Sequence, residues 1–199
     1  EAQNCIVIDS DQSNDWTGTG FTGAFSVPST LGPSTGHNFI GCIGLNNHLG
    51  GFFTASNDRT TATVTNCIIW NSRTDVIRPN WLRGAGSGST KSVTNCTFGV
   101  SSGDGTPGLY ADGNDTSILK NNIITQFTTS QAIGGWTTQN YNAYYGNTSN
   151  NNSGPNDITN VNPRTSSLRY LPRIEAGSPL KGAGESGVDI GANVMRRVG

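Results

Sequence analysis

The segment Val64-Thr65-Asn66-Cys67-Ile68 decides the fold of this chain, because variants of it recur along the sequence. The clear recurrences are Ala2-Gln3-Asn4-Cys5-Ile6, Phe39-Ile40-Gly41-Cys42-Ile43, Val93-Thr94-Asn95-Cys96-Thr97 and Leu119-Lys120-Asn121-Asn122-Ile123. A weaker copy follows at Gln139-Asn140-Tyr141-Asn142-Ala143-Tyr144. Self-similarity at a period of about 20–50 residues is typical of stacked-repeat architectures.

The position held by Cys67, here called the slot, contains all four cysteines of the chain. In the next copy Asn122 occupies the slot, and in the weaker copy the pattern places Ala143 in it. From Cys42 onward the slot positions are separated by 25, 29, 26 and 21 residues. Equivalent positions on neighbouring strands lie about 4.8 Å apart, within the Cα distance that a disulfide tolerates. A column of small buried side chains is also typical of free cysteine, and we expect the reduced column.

The composition favours a repetitive β structure and excludes some partners. Only 33% of the 199 residues are hydrophobic and 13% are charged, with 27 glycines and a net charge of −1. The scattered basic residues argue against nucleic acid as a partner, which needs clustered Lys and Arg. No apolar run reaches the roughly 20 residues of a membrane span. Because the chain begins at Glu1 inside a repeat, we expect a removed N-terminal region or a fragment of a longer protein.

Each copy is predicted to form three short strands, as in Gly108–Asp112, Ser117–Asn121 and Asn122–Thr125. Val64 and Cys67 are three residues apart, so strand alternation alone cannot direct both inward. A left-handed bend at Asn66 resolves this, because asparagine tolerates that conformation. Alternation then directs Cys67 and Ile69 inward and Ile68 outward, and the same rule pairs Ala143 with Tyr145. Stacked bend asparagines are expected to hydrogen-bond to one another through their amides.

These repeats resemble those of the right-handed parallel β-helix superfamily, which includes pectate lyases, phage tailspikes and bacterial surface proteins. The resemblance covers residues 1–146, with an insertion at 10–37. Residues 147–199 contain a loop and a capping segment, and Ala176–Gly184 with Val188–Ala192 is similar to the closing segment of secreted or virion-associated members. The resemblance implies an all-β fold: a single-stranded right-handed parallel β-helix of about six coils with a C-terminal closing segment.

The resemblance also suggests two functions of different kinds. Polysaccharide lyases on this scaffold use Arg or Lys as a base, with calcium or further cations stabilising the developing charge. The matching candidates here are Arg78, Arg83 and Lys91, acting on an acidic glycan, and the competing interpretation is that they are ordinary loop charges. Asp9, Asp11 and Asp15 form a weak calcium candidate, for which a solvated turn is the alternative. No other cofactor is expected.

Aromatic side chains suggest the second function, a binding or assembly surface. We expect them on or near strand surfaces, where rings stack on sugars or fill subunit contacts; they are Trp70, Trp81, Tyr110, Trp136 and Tyr144. The leading hypothesis is a non-catalytic structural protein at an extracellular location, on a cell surface or in a virion. It forms a homo-oligomer or a larger surface assembly, with polysaccharide as a candidate partner. The competing hypothesis is the lyase.

Overall fold

The computed structural model describes residues 1–8, 25–27, 36–46, 52–54, 62–72, 90–101, 109–111, 116–128, 133–150, 154–163 and 174–193. Within these ranges the chain is built of short strands, with a single 3-10 turn at Glu185–Gly187. The strands are β1 (Ala2–Gln3), β2 (Ile6–Ile8), β3 (Phe25–Val27), β4 (His37–Ile40), β5 (Ile43–Leu45), β6 (Phe52–Thr54), β7 (Ala62–Thr65), β8 (Ile68–Ser72), β9 (Thr90–Thr94), β10 (Thr97–Ser101), β11 (Leu109–Tyr110), β12 (Thr116–Lys120), β13 (Ile123–Phe127), β14 (Ile133–Gly134), β15 (Thr138–Asn140), β16 (Ala143–Tyr145) and β17 (Ile158–Thr159).

Two parallel sheets contain most of these strands. The first has the order β1-β4-β7-β9-β12-β15, and the second has the order β2-β5-β8-β10-β13-β16-β17. Two further parallel pairs are β11 with β14 and β3 with β6. Each first-sheet strand leads through a two-residue bend into a second-sheet strand, and we call such a unit a rung. The chain therefore returns to each sheet once per repeat, as the repeated sequence predicts, and the all-β parallel architecture is confirmed.

The bends have the left-handed backbone that the sequence predicts at asparagine. The φ angle is 52° at Asn4, 55° at Asn66, 55° at Asn95 and 56° at Asn121. Glycine takes this position in the second rung, where Gly41 has a φ of 63°. The left-handed region is accessible to glycine and to asparagine at little cost, so these residue types set the bend locally.

The core lies between the two sheets and follows the predicted alternation after each bend. Cys67, Ile69, Cys96, Phe98 and Ile124 all belong to one buried cluster. First-sheet strands contribute a second row to the same cluster: Phe39, Val64, Val93 and Leu119. Burial of each large aliphatic or aromatic side chain stabilises the fold by about 1.5–3 kcal/mol.

The slot of the sixth rung was predicted one residue too late. Ala143 pairs with Ile123, so the residue that aligns with Asn122 is Asn142. The bend is Tyr141, with a φ of 57°, where the other rungs have asparagine or glycine. Consequently Tyr144, not Tyr145, points into the core.

Two segments outside the regular repeats also supply strands. Residues 147–199, where a loop and a capping segment were expected, contain β17, which pairs in parallel with β16 and extends the second sheet. Within the expected insertion at 10–37, β3 pairs with β6 and so follows the same parallel pattern. His37, the last residue of the expected insertion, is the first residue of β4.

The C-terminal segment, residues 174–193, packs on the outer face of the second sheet. Leu180 and Ile190 form a second buried cluster with Ile123 and Ala143. Ile68 was predicted to point outward, and Ile123 occupies the same position in the fifth rung, yet each is 1% exposed. For Ile123 the cause is the C-terminal segment, which buries the outward side chain within the same chain.

Candidate functional sites: the slot column and an asparagine cleft

The slot side chains form a hydrogen-bonded column through the core. In each rung the slot N–H donates to the slot side chain of the next rung: Cys42 N–H to Cys67 Sγ at 3.3 Å, and Cys67 N–H to Cys96 Sγ at 3.4 Å. The pattern continues from Cys96 N–H to Asn122 Oδ1 at 2.9 Å, and from Asn122 N–H to Asn142 Oδ1 at 3.1 Å. Sulfur and amide oxygen therefore play the same acceptor role.

Each slot side chain also donates back to the preceding rung. The single proton of the Cys67 thiol is shared between the Phe39 carbonyl of the preceding rung, at 3.5 Å, and the Thr65 carbonyl of its own rung, at 3.3 Å. Asn122 Nδ2 donates to the Val93 carbonyl at 3.0 Å, and Asn142 Nδ2 donates to the Leu119 carbonyl at 2.8 Å. The slot therefore requires a side chain that both donates and accepts, which cysteine and asparagine provide and alanine does not.

A carboxylate ends the column at the C-terminal side. Asp157 Oδ1 accepts from Asn142 N–H at 2.7 Å and from Asn142 Nδ2 at 3.3 Å. Its second oxygen accepts from Gly154 N–H at 2.6 Å. An ionised carboxylate is an acceptor only, so it satisfies the last donors of the column without adding a donor of its own.

The four thiols are free, and the surroundings of Cys42 and Cys67 favour the protonated form of these two. Burial raises the pKa of Cys42 to about 11. The pKa of Cys67 is raised by its hydrogen bond with Cys96 and by burial. Because the thiolate is the nucleophilic form, the column is suited to structural hydrogen bonding and not to thiol chemistry. The predicted reduced column agrees with this arrangement.

The C-terminal segment is attached to the bends by hydrogen bonds that cross the rungs. Glu185 N–H donates to Asn121 Oδ1 at 2.9 Å. Asn193 N–H donates to Asn66 Oδ1 at 2.6 Å, and Asn66 Nδ2 donates back to the Asn193 carbonyl at 3.2 Å. These bonds take the place of the amide contacts expected between bend asparagines. The slot residues Asn122 and Asn142, in contrast, bond to each other directly through their amides.

A cleft of about 320 Å³ lies where the C-terminal segment passes the third and fourth bends; it is lined by Asn66, Asn95, Val188, Asp189, Gly191 and Asn193. Val188 is 45% exposed and supplies apolar surface there. Asn95 Oδ1 is buried and has no hydrogen-bond partner among the described residues. An unsatisfied buried acceptor costs about 1–3 kcal/mol, and a turn of the Asn95 amide toward a donor in the adjoining cleft would relieve this cost.

Asp189 contributes the carboxylate of the cleft. Lys181 Nζ donates to its Oδ2 at 2.5 Å, and Gly182 N–H donates to its Oδ1 at 3.0 Å. The ammonium of Lys181 lowers the pKa of Asp189 from its usual range. The carboxylate is therefore ionised at neutral pH, and its charge is balanced by the neighbouring lysine.

Lys91, one of the three candidate lyase residues, is 0% exposed. It shares a strand face with Val93, because residues two apart on β9 point the same way, and it pairs with Ser117 on β12. Lys91 is therefore neither an accessible base nor the loop charge that was the alternative, because it is buried within β9. Arg78 and Arg83 lie outside the described residues, as do Asp9, Asp11 and Asp15.

The predicted surface aromatics divide into two groups. Trp136 is 6% exposed and its Nε1 donates to the Leu109 carbonyl at 3.1 Å, while Tyr144 is 0% exposed. Both belong to the core, so their assignment to a surface is wrong. Trp70 is half-buried on the outer face of β8 and packs against Gly99 of β10. The side chain of Tyr110, at the end of β11, and all of Trp81 lie outside the described part.

Within the described ranges, no group of three or more His, Cys, Asp or Glu side chains is placed to hold a metal ion. No helix in those ranges is long and apolar enough to cross a membrane.

No protein-family model matches the chain, and neither the curated proteins nor the solved structures include a match.

The sequence did not identify the cleft. Asn95 was recognised as a bend and Val188–Ala192 as part of a closing segment, but nothing local indicates that they meet. The hydrogen bonds between Asn66 and Asn193 join residues 127 positions apart. The usable signal was the set of bend asparagines, whose amides must find partners when they lie beside a packed segment.

Proposed function

We propose that this chain is a right-handed parallel β-helix of about six coils with a C-terminal closing segment, belonging to the β-helix superfamily. It serves as a non-catalytic structural protein at an extracellular surface or in a virion. Its outer faces provide an assembly surface and a carbohydrate-facing surface. The observation that carries this proposal is the strand register, in which every rung lies in parallel beside the rung one repeat earlier.

The slot column supports a structural role. The polar groups of its thiols and amides are used in bonds between rungs, and burial keeps the Cys42 thiol protonated. The candidate lyase residue Lys91 is buried, which removes one of the three groups named for proton abstraction from the accessible surface.

Exposed apolar side chains on the first two rungs support assembly. On β2, Ile6 is 46% exposed and Ile8 is 53% exposed. Ile40 of the second rung adds a side chain that is 38% exposed. A second copy of the chain is the proposed partner, because a two-fold contact sets the same apolar patch against itself.

Light scattering coupled to size-exclusion chromatography, in the presence of a reductant, tests the assembly. The double variant Ile6→Asp/Ile8→Asp is expected to shift an oligomer to the monomer. Val188→Asp is the matched control, since Val188 is equally exposed but lies on the C-terminal segment. A wild-type chain that is monomeric at all accessible concentrations would contradict assembly through this face.

Incubation with alginate and pectin, followed by ultraviolet absorbance of unsaturated products, tests the non-catalytic assignment. No product is expected. Cleavage that disappears in an Arg78→Ala/Arg83→Ala variant would overturn the proposal and establish the lyase.

A further inference from the structure

We propose that the cleft binds one unit of a neutral saccharide through its hydroxyl groups, an inference that rests on the carbohydrate-facing role proposed above. The cleft is formed by the third and fourth bends and by residues 188–193 of the C-terminal segment. Its volume of about 320 Å³ lies at the lower end of the range of small-molecule sites, about 300–1,000 Å³. This space suits a single sugar ring.

The bend asparagines show which amide beside the cleft lacks a donor for its oxygen. Asn66 Oδ1 and Asn121 Oδ1 accept from backbone N–H groups of Asn193 and Glu185. Asn95 lies between them in the stack, and its Oδ1 has no partner in the described part of the chain. A ligand hydroxyl is a donor of the size and charge that this position lacks.

Asn95 Oδ1 is withdrawn from solvent, so binding requires the amide to turn toward the cleft. The final torsion of asparagine has a broad energy profile, which makes such a turn inexpensive. The backbone does not need to move, because the left-handed bend at Asn95 is common to the neighbouring rungs. The side-chain amide of Asn95 is therefore the reporter of binding.

Asp189 provides a second acceptor and decides the charge of the ligand. Its carboxylate is 34% exposed and accepts one bond on each oxygen from the chain, leaving lone pairs for further donors. Lys181 already balances its charge at 2.5 Å. A second cation would compete with this lysine, and an acidic sugar would face the carboxylate. A neutral hydroxyl group meets neither obstacle.

Val188 completes the site with apolar surface that the C–H face of a sugar ring can cover, since its side chain is 45% exposed. With no aromatic ring among the described lining residues, we expect weak binding, with a Kd on the order of 1 mM.

Heteronuclear NMR titration of the ¹⁵N-labelled chain tests the proposal. The probes are glucose, galactose, mannose and N-acetylglucosamine, with galacturonate and calcium chloride as charged competitors. The backbone signals of Asn66, Val188 and Gly191 and the side-chain NH₂ signals of Asn95 are expected to shift with a neutral sugar. Asn95→Gly keeps the bend conformation and removes the amide, and it should weaken binding at least tenfold. Asn4→Gly makes the same change at a bend outside the cleft and should leave binding unchanged.

Three outcomes overturn the inference: no neutral sugar shifts these signals, Asn95→Gly binds as well as the wild type, or galacturonate or calcium binds more tightly than every neutral sugar. Failure here is distinct from failure of the proposed function. A chain that assembles and leaves alginate and pectin intact keeps its structural assignment whether or not the cleft binds. A chain that cleaves either polymer loses that assignment whatever the cleft does.

Discussion

Asn122 and Asn142 lie one above the other in the core, and Oδ1 of Asn142 accepts both the side-chain Nδ2 of Asn122 at 2.9 Å and its backbone N–H at 3.1 Å. Both amides are 0% exposed. The same position holds Cys67 and Cys96 in earlier rungs, where the Cys96 thiol accepts from Cys67 N–H at 3.4 Å and faces the Val64 carbonyl of the preceding rung at 3.6 Å. The slot therefore suits a compact side chain that donates and accepts, and groups of the chain itself satisfy the polar atoms along the column.

Replacement of Asn122 by alanine is expected to destabilise the chain by about 1–3 kcal/mol, because it removes the acceptor of Cys96 N–H and leaves buried polar groups unpaired. Asn122→Cys should cost less, since four rungs already accommodate cysteine in the slot. Urea denaturation followed by circular dichroism measures both. Equal losses for alanine and cysteine would contradict the donor-and-acceptor role of the slot.

Asp157 is expected to matter more than a surface carboxylate, because it accepts three hydrogen bonds from Asn142 and Gly154. Asp157→Ala leaves these donors unpaired and should cost about 2–4 kcal/mol, in line with hydrogen bonds to charged groups. Hydrogen exchange should speed up first at Asn142 N–H. Asp189→Ala is the control: its carboxylate is partly exposed, so exchange at Asn142 should stay unchanged.

The alternation of the strands and the asparagine bends were predictable because both are local. Asn66 and Asn95 adopt the left-handed conformation through their own side-chain chemistry, and period-2 alternation then directs Cys67 and Ile69 inward. The repeated sequence adds the neighbour relation between rungs. Together these explain why the parallel all-β architecture follows from the sequence.

The sixth rung and the cleft were not predictable by the same means. Tyr141 occupies a left-handed bend, a conformation that tyrosine disfavours, so tertiary packing and not the local sequence decides it. Because the sequence offers no asparagine or glycine to mark this bend, the local pattern wrongly predicts Ala143 as the slot residue. Trp136 and Tyr144 lie in polar stretches of the sequence, which led to their prediction as surface aromatics. Their side chains are buried because residues of neighbouring rungs pack around them. Asn95 and Asp189 meet through a contact between segments that are distant in sequence.

Alkaline pH is expected to destabilise the chain through its buried thiols and Tyr144. Burial, aided by Asp157, raises the pKa of Tyr144. The pKa of Cys42 rises from 9.0 to about 11, so above pH 9 the unfolded chain releases a proton that the folded chain retains. The contribution is fully present below pH 9 and is lost as the pH rises toward 11.

Thermal melts between pH 8 and pH 11 should show a falling midpoint, and Cys42→Ser should flatten the decline, because a hydroxyl group does not titrate in this range. A Cys42→Ser profile as steep as that of the wild type would assign the effect to other groups.

Gly99 lies against the ring of Trp70, so its lack of a side chain is expected to fix the position of that tryptophan. A Cβ atom at position 99 would overlap the Trp70 ring and lie 2.9 Å from Thr125 Cγ2. Gly99→Ala should therefore cost about 1–3 kcal/mol, the usual penalty of overpacking. In a Trp70→Leu background, where the ring is absent, the same substitution should cost less, and the difference in urea midpoints gives the coupling. An equal cost in both backgrounds would show that Gly99 is required by the backbone or by Thr125, and that Trp70 does not depend on it for its position.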